Sequence, residues 1–244
     1  MSHINLEGAM KMIRRNLISI IVIVSIAILC MVGMVFADGM NLVFSEDFSE
    51  DEIGAFPSRL VVDRGRIEYL RVVEDSTAVG GKALMIMGDP ETNDTRVHVE
   101  LPELLFFPPV FEIEFSLRVE NSDGTNFYLN DSEAVAFLII SPKDGKLRYN
   151  LKDDIATLDS GWNRIKLVVD LETAKVYVYL NNMDVPILGP ASFYKERQCT
   201  AREGLYLRYQ LSRGTKHPDF EGEIYIDDIK VRMAGPNTEL AFSL

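Results

Sequence analysis

The chain is poor in the residues that most often announce a chemistry: its 244 residues include two cysteines, three histidines and one tryptophan. Cys30 falls in an N-terminal apolar run and Cys199 stands alone, so an internal disulfide framework is excluded. Cys199, with no histidine near it in sequence, reads as a small buried filler rather than a nucleophile. Only His98 and His217 lie beyond the N-terminal leader, which argues against a histidine-based metal or nucleophile site. There is no G-x-S-x-G, no H-E-x-x-H and no Gly-rich phosphate loop. Basic charge is also scarce, with 25 Lys+Arg against 37 Asp+Glu and a formal net charge of −12. An acidic surface without a basic stripe excludes nucleic acid and anionic lipid as partners. No amphipathic helical period, internal repeat or linker is visible.

One long apolar run is present. Lys11, Arg14 and Arg15 precede an uncharged stretch from Leu17 to Ala37, and Val35-Phe36-Ala37 offers small residues at −3 and −1 ahead of Asp38. Residues 1–37 therefore read as a secretory signal peptide, with an uncleaved anchor as the alternative, since the run is long enough to span a bilayer. A lipoprotein reading is weaker because Leu29 precedes Cys30 where a small residue is needed, and Met10 or Met12 would make a more ordinary start. Export is the expected localisation, with the membrane reached only through this segment. Residues 38–244 are long enough for one sizeable core and read as a single domain.

Beyond the leader almost every segment alternates with period two. Phe111, Ile113, Phe115, Leu117 and Val119 alternate with Glu112, Glu114, Ser116 and Arg118, a strand with one face in the core and one in water. Ala134–Ile140 is continuously apolar and predicts an interior strand covered on both faces, and Lys143-Asp144-Gly145-Lys146 predicts a hairpin turn. Within 161–181, Ile165, Leu167 and Val169 precede a polar break and then Val176, Val178 and Leu180, an antiparallel hairpin with one buried face. Residues 184–203, with Pro186, Gly189 and Pro190, read as irregular. In the last strand Ile224 and Ile226 are even while Ile229 and Val231 are odd, which predicts a β-bulge at Asp227-Asp228. About a dozen short strands argue for an all-β fold, a two-sheet antiparallel β-sandwich or jelly roll.

S-E-D-F at 45–48, G-G-K-A-L at 80–84, the 161–181 hairpin and I-Y-I-D-D-I-K-V at 224–231 occur in the order seen in concanavalin A-like (laminin-G-like) jelly rolls, which this chain resembles. The resemblance implies that fold over most of residues 38–244. It leaves the task open, since such folds host lectins, hydrolases, lyases and spacers. Family 16 glycoside hydrolases on this fold carry E-x-D-x-(x)-E on one strand. Here Glu112 and Glu114 share a face, roughly 6.6–6.8 Å apart along the strand, but the intervening Asp and the third carboxylate are missing, so both read as a solvated outer face. The chain is also similar to sugar-processing jelly rolls of the 3-keto-disaccharide hydrolase type through Trp162-Asn163 and Leu180-Asn181, and departs from them at Asn182, where they carry Gly. Trp162 opens a core hairpin and reads as structural.

Two site expectations follow. Sugars stack on exposed aromatic faces while planar polar groups read their hydroxyls. Tyr206, Arg208 and Gln210 lie together on the non-core face of one strand, with Tyr128 and Tyr149 on neighbouring strands, so these five are the candidate glycan-binding residues. Related jelly rolls hold a structural Ca²⁺ between the first strand and the last, which makes Glu46, Asp47, Asp227 and Asp228 the candidate metal ligands. The expected role is a non-catalytic glycan-binding or adhesion module. The alternatives are a divergent glycan-active enzyme and a structural cell-surface spacer, and the oligomeric state is left open.

Overall fold

The computed structural model describes residues 40–92, 94–100, 110–120, 124–131, 136–196, 205–212 and 222–234. The leader, Cys30, Cys199, His217, the Asn121–Asp123 part of the expected turn and the polar loop at 213–221 lie outside the described residues. In chain order the strands are β1 (Met40–Glu46), β2 (Leu60–Arg64), β3 (Leu70–Glu74), β4 (Lys82–Met87), β5 (Asp94–Glu100), β6 (Val110–Val119), β7 (Thr125–Asn130) and β8 (Ala136–Lys143). They continue as β9 (Lys146–Tyr149), β10 (Asp153–Thr157), β11 (Asn163–Asp170), β12 (Lys175–Leu180), β13 (Leu188–Ser192), β14 (Tyr206–Ser212) and β15 (Glu223–Ala234). Only single 3₁₀ turns interrupt them among the described residues, and no helix there is long and apolar enough to cross a membrane.

The strands pair into two antiparallel sheets. The first runs β13-β12-β11-β6-β15-β4-β3, with β1 added against β15; the second runs β10-β9-β8-β7-β14-β5-β2. The inward residues of both close over one core. Phe111, Ile113, Phe115 and Leu117 from β6, Phe127 and Leu129 from β7, and Leu207, Tyr209 and Leu211 from β14 are all fully buried in it. At its centre the rings of Phe115, Phe127 and Tyr209 meet at centroid distances of 5.2–5.7 Å, two of the three contacts edge-on, the arrangement that the aromatic quadrupole favours.

The predicted hairpin is β11–β12, paired from Ile165↔Leu180 to Asp170↔Lys175. The Asp144-Gly145 turn has φ of 52° and 68°, the positive values a tight hairpin needs. The bulge in β15 falls where the parity slips: the register against β6 shifts between Asp227 and Lys230, and Asp228 takes φ 52°. β8 is buried at Phe137, Leu138, Ile139 and Ile140, as its continuous apolar run requires.

Two expectations are corrected. Residues 188–192 form a strand rather than an irregular segment, and its position at the sheet edge is what tolerates Pro190, which cannot donate to a ladder. The outward face of β6 is not in water: Glu112 and Glu114 are 6% and 2% exposed. β6 is the middle strand of its sheet, so long side chains of β11, β12 and β15 close over the two glutamates.

Candidate functional site

β14 alternates as its sequence demands, with Leu207, Tyr209 and Leu211 in the core and Tyr206, Arg208, Gln210 and Ser212 outward. The registers of β7, β5 and β2 set further side chains beside these. Gln210 lies between Asn126 of β7 and Arg96 of β5, and Arg96 is opposite Arg64 of β2. One rung further, Arg208 lies between Tyr128 and His98, with Val61 beyond; then Tyr206 lies opposite Asn130. Strands 4.7–4.9 Å apart with outward residues about 6.6–6.8 Å apart along each strand thus carry a tiled surface of amide, phenol, imidazole and guanidinium groups. Gly124, at φ +86°, admits the chain into β7 beside the end of β14: a Cβ there would collide with the Ser212 carbonyl oxygen.

The tiles hold one another in place. Asp63, in β2, reaches His98 Nδ1 with Oδ1 at 2.7 Å and accepts from Arg208 Nε with Oδ2 at 2.8 Å. Arg208 Nη2 donates to the Tyr206 hydroxyl at 3.1 Å, and its Cζ sits 5.2 Å from the Tyr206 ring centroid. His98 also meets that ring, at a centroid distance of 4.9 Å and a 49° tilt. Gln210 Nε2 donates to Ser212 Oγ, which in turn donates to Asp94 Oδ1 at 3.3 Å. Arg96 pairs with Asp94 at 2.5 Å. Burial pushes the phenols of Tyr128 and Tyr206 upward, so both remain protonated donors at neutral pH.

The structure therefore brings Tyr206, Arg208, Gln210 and Tyr128 together and places Tyr149 elsewhere. Tyr149 pairs with Ile140 and turns inward; its ring is part of the core and its hydroxyl donates to the Ser192 carbonyl at 2.6 Å. Burial moves its phenol up to about 12. Sequence reasoning missed Asp63, because β2 was not foreseen. It also left His98 and Arg96 unassigned, although both alternate with Val97 and Val99 in a legible strand pattern.

The four acidic candidates meet in part. Asp227 feels both Asp228 and Asp47, and burial together with those charges moves it up to about 7. Its oxygens accept from the amides of Val79 and Asp228, both at 2.7 Å. Asp228 is paired with Lys230 at 2.6 Å, and Asp47 accepts from the hydroxyl and amide of Ser49. Glu46 accepts from the Phe48 amide and faces Arg59 at 3.6 Å. Ca²⁺ takes six to eight oxygens, whereas these carboxylates already have N–H, O–H and ammonium partners. Among the described residues no group of three or more His, Cys, Asp or Glu has metal-holding geometry. The set does not fit the expected calcium.

On the other sheet Glu114 accepts from Arg164 at 2.6 Å and faces Arg232 at 3.4 Å. Trp162 donates to Thr77 Oγ1 at 3.0 Å, and Arg118 lies 5.6 Å from its ring and 4.0 Å from that of Tyr225, so Trp162 braces a loop.

No protein-family model matches this chain, and no curated protein matches it. Among solved structures it is similar to a sialidase at 12% identity and TM-score 0.58, over 83% of this chain and 19% of that one. It is also similar to a carbohydrate esterase from Shiga toxin-encoding bacteriophage phi24B, at 18% identity and TM-score 0.54, over 81% and 100% of the two chains. A third neighbour is a cellulose induced protein, at 15% identity and TM-score 0.51, over 77% and 96%. The chain spans about a fifth of the sialidase's length. Identities this low show a shared jelly-roll β-sandwich fold and leave the task to the site.

Proposed function

We propose that this chain is an exported, non-catalytic carbohydrate-binding module of the concanavalin A-like type, which takes a glycan or cell-surface polysaccharide on the outward face of the second sheet. The observation that carries this reading is the unbroken tiling of β7, β14 and β5 by Asn126, Tyr128, Gln210, Arg208, Tyr206 and His98. Planar groups of this kind stack on sugar rings and hydrogen-bond their hydroxyls. The contacts of Asp63 with Arg208 and His98, and of Arg208 with Tyr206, hold three of them in place before a ligand arrives, which lowers the ordering cost of binding. Solved neighbours named as a sialidase and a carbohydrate esterase support a glycan-related task.

The test is a glycan array and polysaccharide pull-down with purified protein. Retention that Tyr206→Ala and Arg208→Ala both weaken is expected. Silence across plant, microbial and host glycans would overturn the proposal and leave a cell-surface spacer. One observation favours a second reading, a divergent glycan-active enzyme: burial pushes the Glu112 carboxyl up, beside an arginine-paired Glu114, the divergence of environments that separates an acid from a base. Release of reducing sugar or acetate by the wild type but not by Glu112→Gln would establish it.

A further inference from the structure

The face has an edge richer in cation than the rest, and among the described residues what it lacks is an acceptor. Both oxygens of Asp63 are engaged, by His98 and Arg208. Asp94 is shared: Arg96 at 2.5 Å, Arg64 at 3.8 Å and Ser212 Oγ at 3.3 Å all converge on it. One carboxylate therefore serves two guanidiniums, and it lies beneath them. The Asp94 side chain is 9% exposed, against 31% for Arg96 and 54% for Arg64. An approaching ligand meets two guanidinium groups, of which Asp94 holds Arg96 closely and Arg64 at 3.8 Å. Gln210, on the rung shared with Arg96, adds an amide beside them.

Resting on the reading of this face as glycan-binding, we propose that the glycan it takes carries a carboxylate, as a uronic or other sugar acid does, seated on Arg64 and Arg96. The planar guanidinium fork matches a carboxylate through two parallel N–H···O bonds, stronger than bonds to a neutral hydroxyl. A neutral sugar would cover the same arginines without balancing the second positive charge. The overall charge of −12 slows the approach of a dense polyanion but leaves a contact pair largely intact at physiological salt, where screening sets in at about 8 Å. The recognised feature is thus a carboxylate at one position on a sugar.

Affinity gel electrophoresis tests this at 0.15 M salt, with gels containing polygalacturonate, alginate or hyaluronan, the carboxyl-reduced form of each, or dextran sulfate. At least one polyuronate is expected to retard the protein about tenfold more strongly than its reduced form, a difference near 1.4 kcal/mol. Arg64→Gln/Arg96→Gln should abolish that difference, while Arg71→Gln/Lys152→Gln, equal in charge and away from the face, should preserve it. Equal retardation by acidic and carboxyl-reduced polymers would overturn this inference and leave the glycan reading standing. Equal retardation by dextran sulfate would overturn it as mere charge attraction; no retardation by any of these polymers would overturn it too, and the glycan array then decides the glycan reading separately.

Discussion

The two sheets turn outward faces of similar composition and opposite character. On the first sheet, Glu112 and Glu114 sit on the middle strand with basic and aromatic residues closed over them. Arg164 and Arg232 reach Glu114, and Lys166 lies 4.1 Å from the Tyr179 ring while donating to the Met183 carbonyl. Those contacts knit four strands and leave the acids buried. On the second sheet the polar side chains also contact one another, but Tyr206, Arg208, Gln210 and Tyr128 stay partly exposed. The same residue types act as mortar on one face and, in the function proposed above, as a reading surface on the other. The difference lies in where the acids sit: on the middle strand of the first sheet, and on β2 and β5 of the second. Asp94 lies beneath Arg96 and Arg64 and Asp63 pairs with Arg208, while β14 itself carries no carboxylate.

Removing the mortar should have the largest effect. Arg164→Met/Arg232→Met removes both guanidiniums paired with the buried Glu114 and is expected to cost about 3 kcal/mol in urea unfolding, because a buried charge that loses its partners is expensive. Glycan binding per folded molecule should not change. The reverse pattern is expected for Tyr206→Ala: glycan affinity falls about tenfold, near 1.4 kcal/mol, while stability moves by less than about 1 kcal/mol, as half-exposed substitutions do.

Titration separates the faces again. The Asp227 carboxyl, at about 7 when folded against an ordinary 3.8, stays protonated in the folded chain after the unfolded chain has lost its proton. Its contribution to stability is therefore full below about pH 4 and is lost as pH rises to about 7. Glu112, which burial also pushes up, acts in the same direction. Asp47, held below the ordinary range by Ser49, acts only at lower pH. Melting temperature should thus fall between pH 5 and 7, and Asp227→Asn should flatten that slope.

Smaller effects are expected in the core and at the acidic cluster. The Tyr209 hydroxyl is buried without a hydrogen-bond partner, so Tyr209→Phe should leave stability unchanged or raise it by up to about 1 kcal/mol. Adding chelator or Ca²⁺ should leave the melting temperature where it was, since the Asp227 and Asp228 oxygens already have partners.

Period-two alternation made much of this architecture legible. It assigned the faces of β6, β11, β12 and β14 and located the bulge at Asp227-Asp228 through a change of parity. Alternation says which residues share a face of one strand, however, and not what the next strand lays beside them. The cations that cover Glu114 lie 50 and 118 residues away, so its burial could not be read locally. Tyr149 illustrates the same limit. The register beyond the Asp144-Gly145 turn sets it opposite Ile140 and sends it inward. β2, β10 and β13 are edge strands of five residues. Too few alternations mark so short an edge, and with β2 went Asp63, the residue that orients Arg208 and contacts His98.

The decisive measurement compares the faces on one glycan array: wild type, Tyr206→Ala/Arg208→Ala on the second sheet, and Tyr177→Ala/Lys166→Ala on the first. If the second sheet is the reading surface, the first double variant loses the wild-type signals and the other keeps them. Signals that survive in the Tyr206/Arg208 variant and vanish in the Tyr177/Lys166 variant would place binding on the first sheet and contradict the assignment.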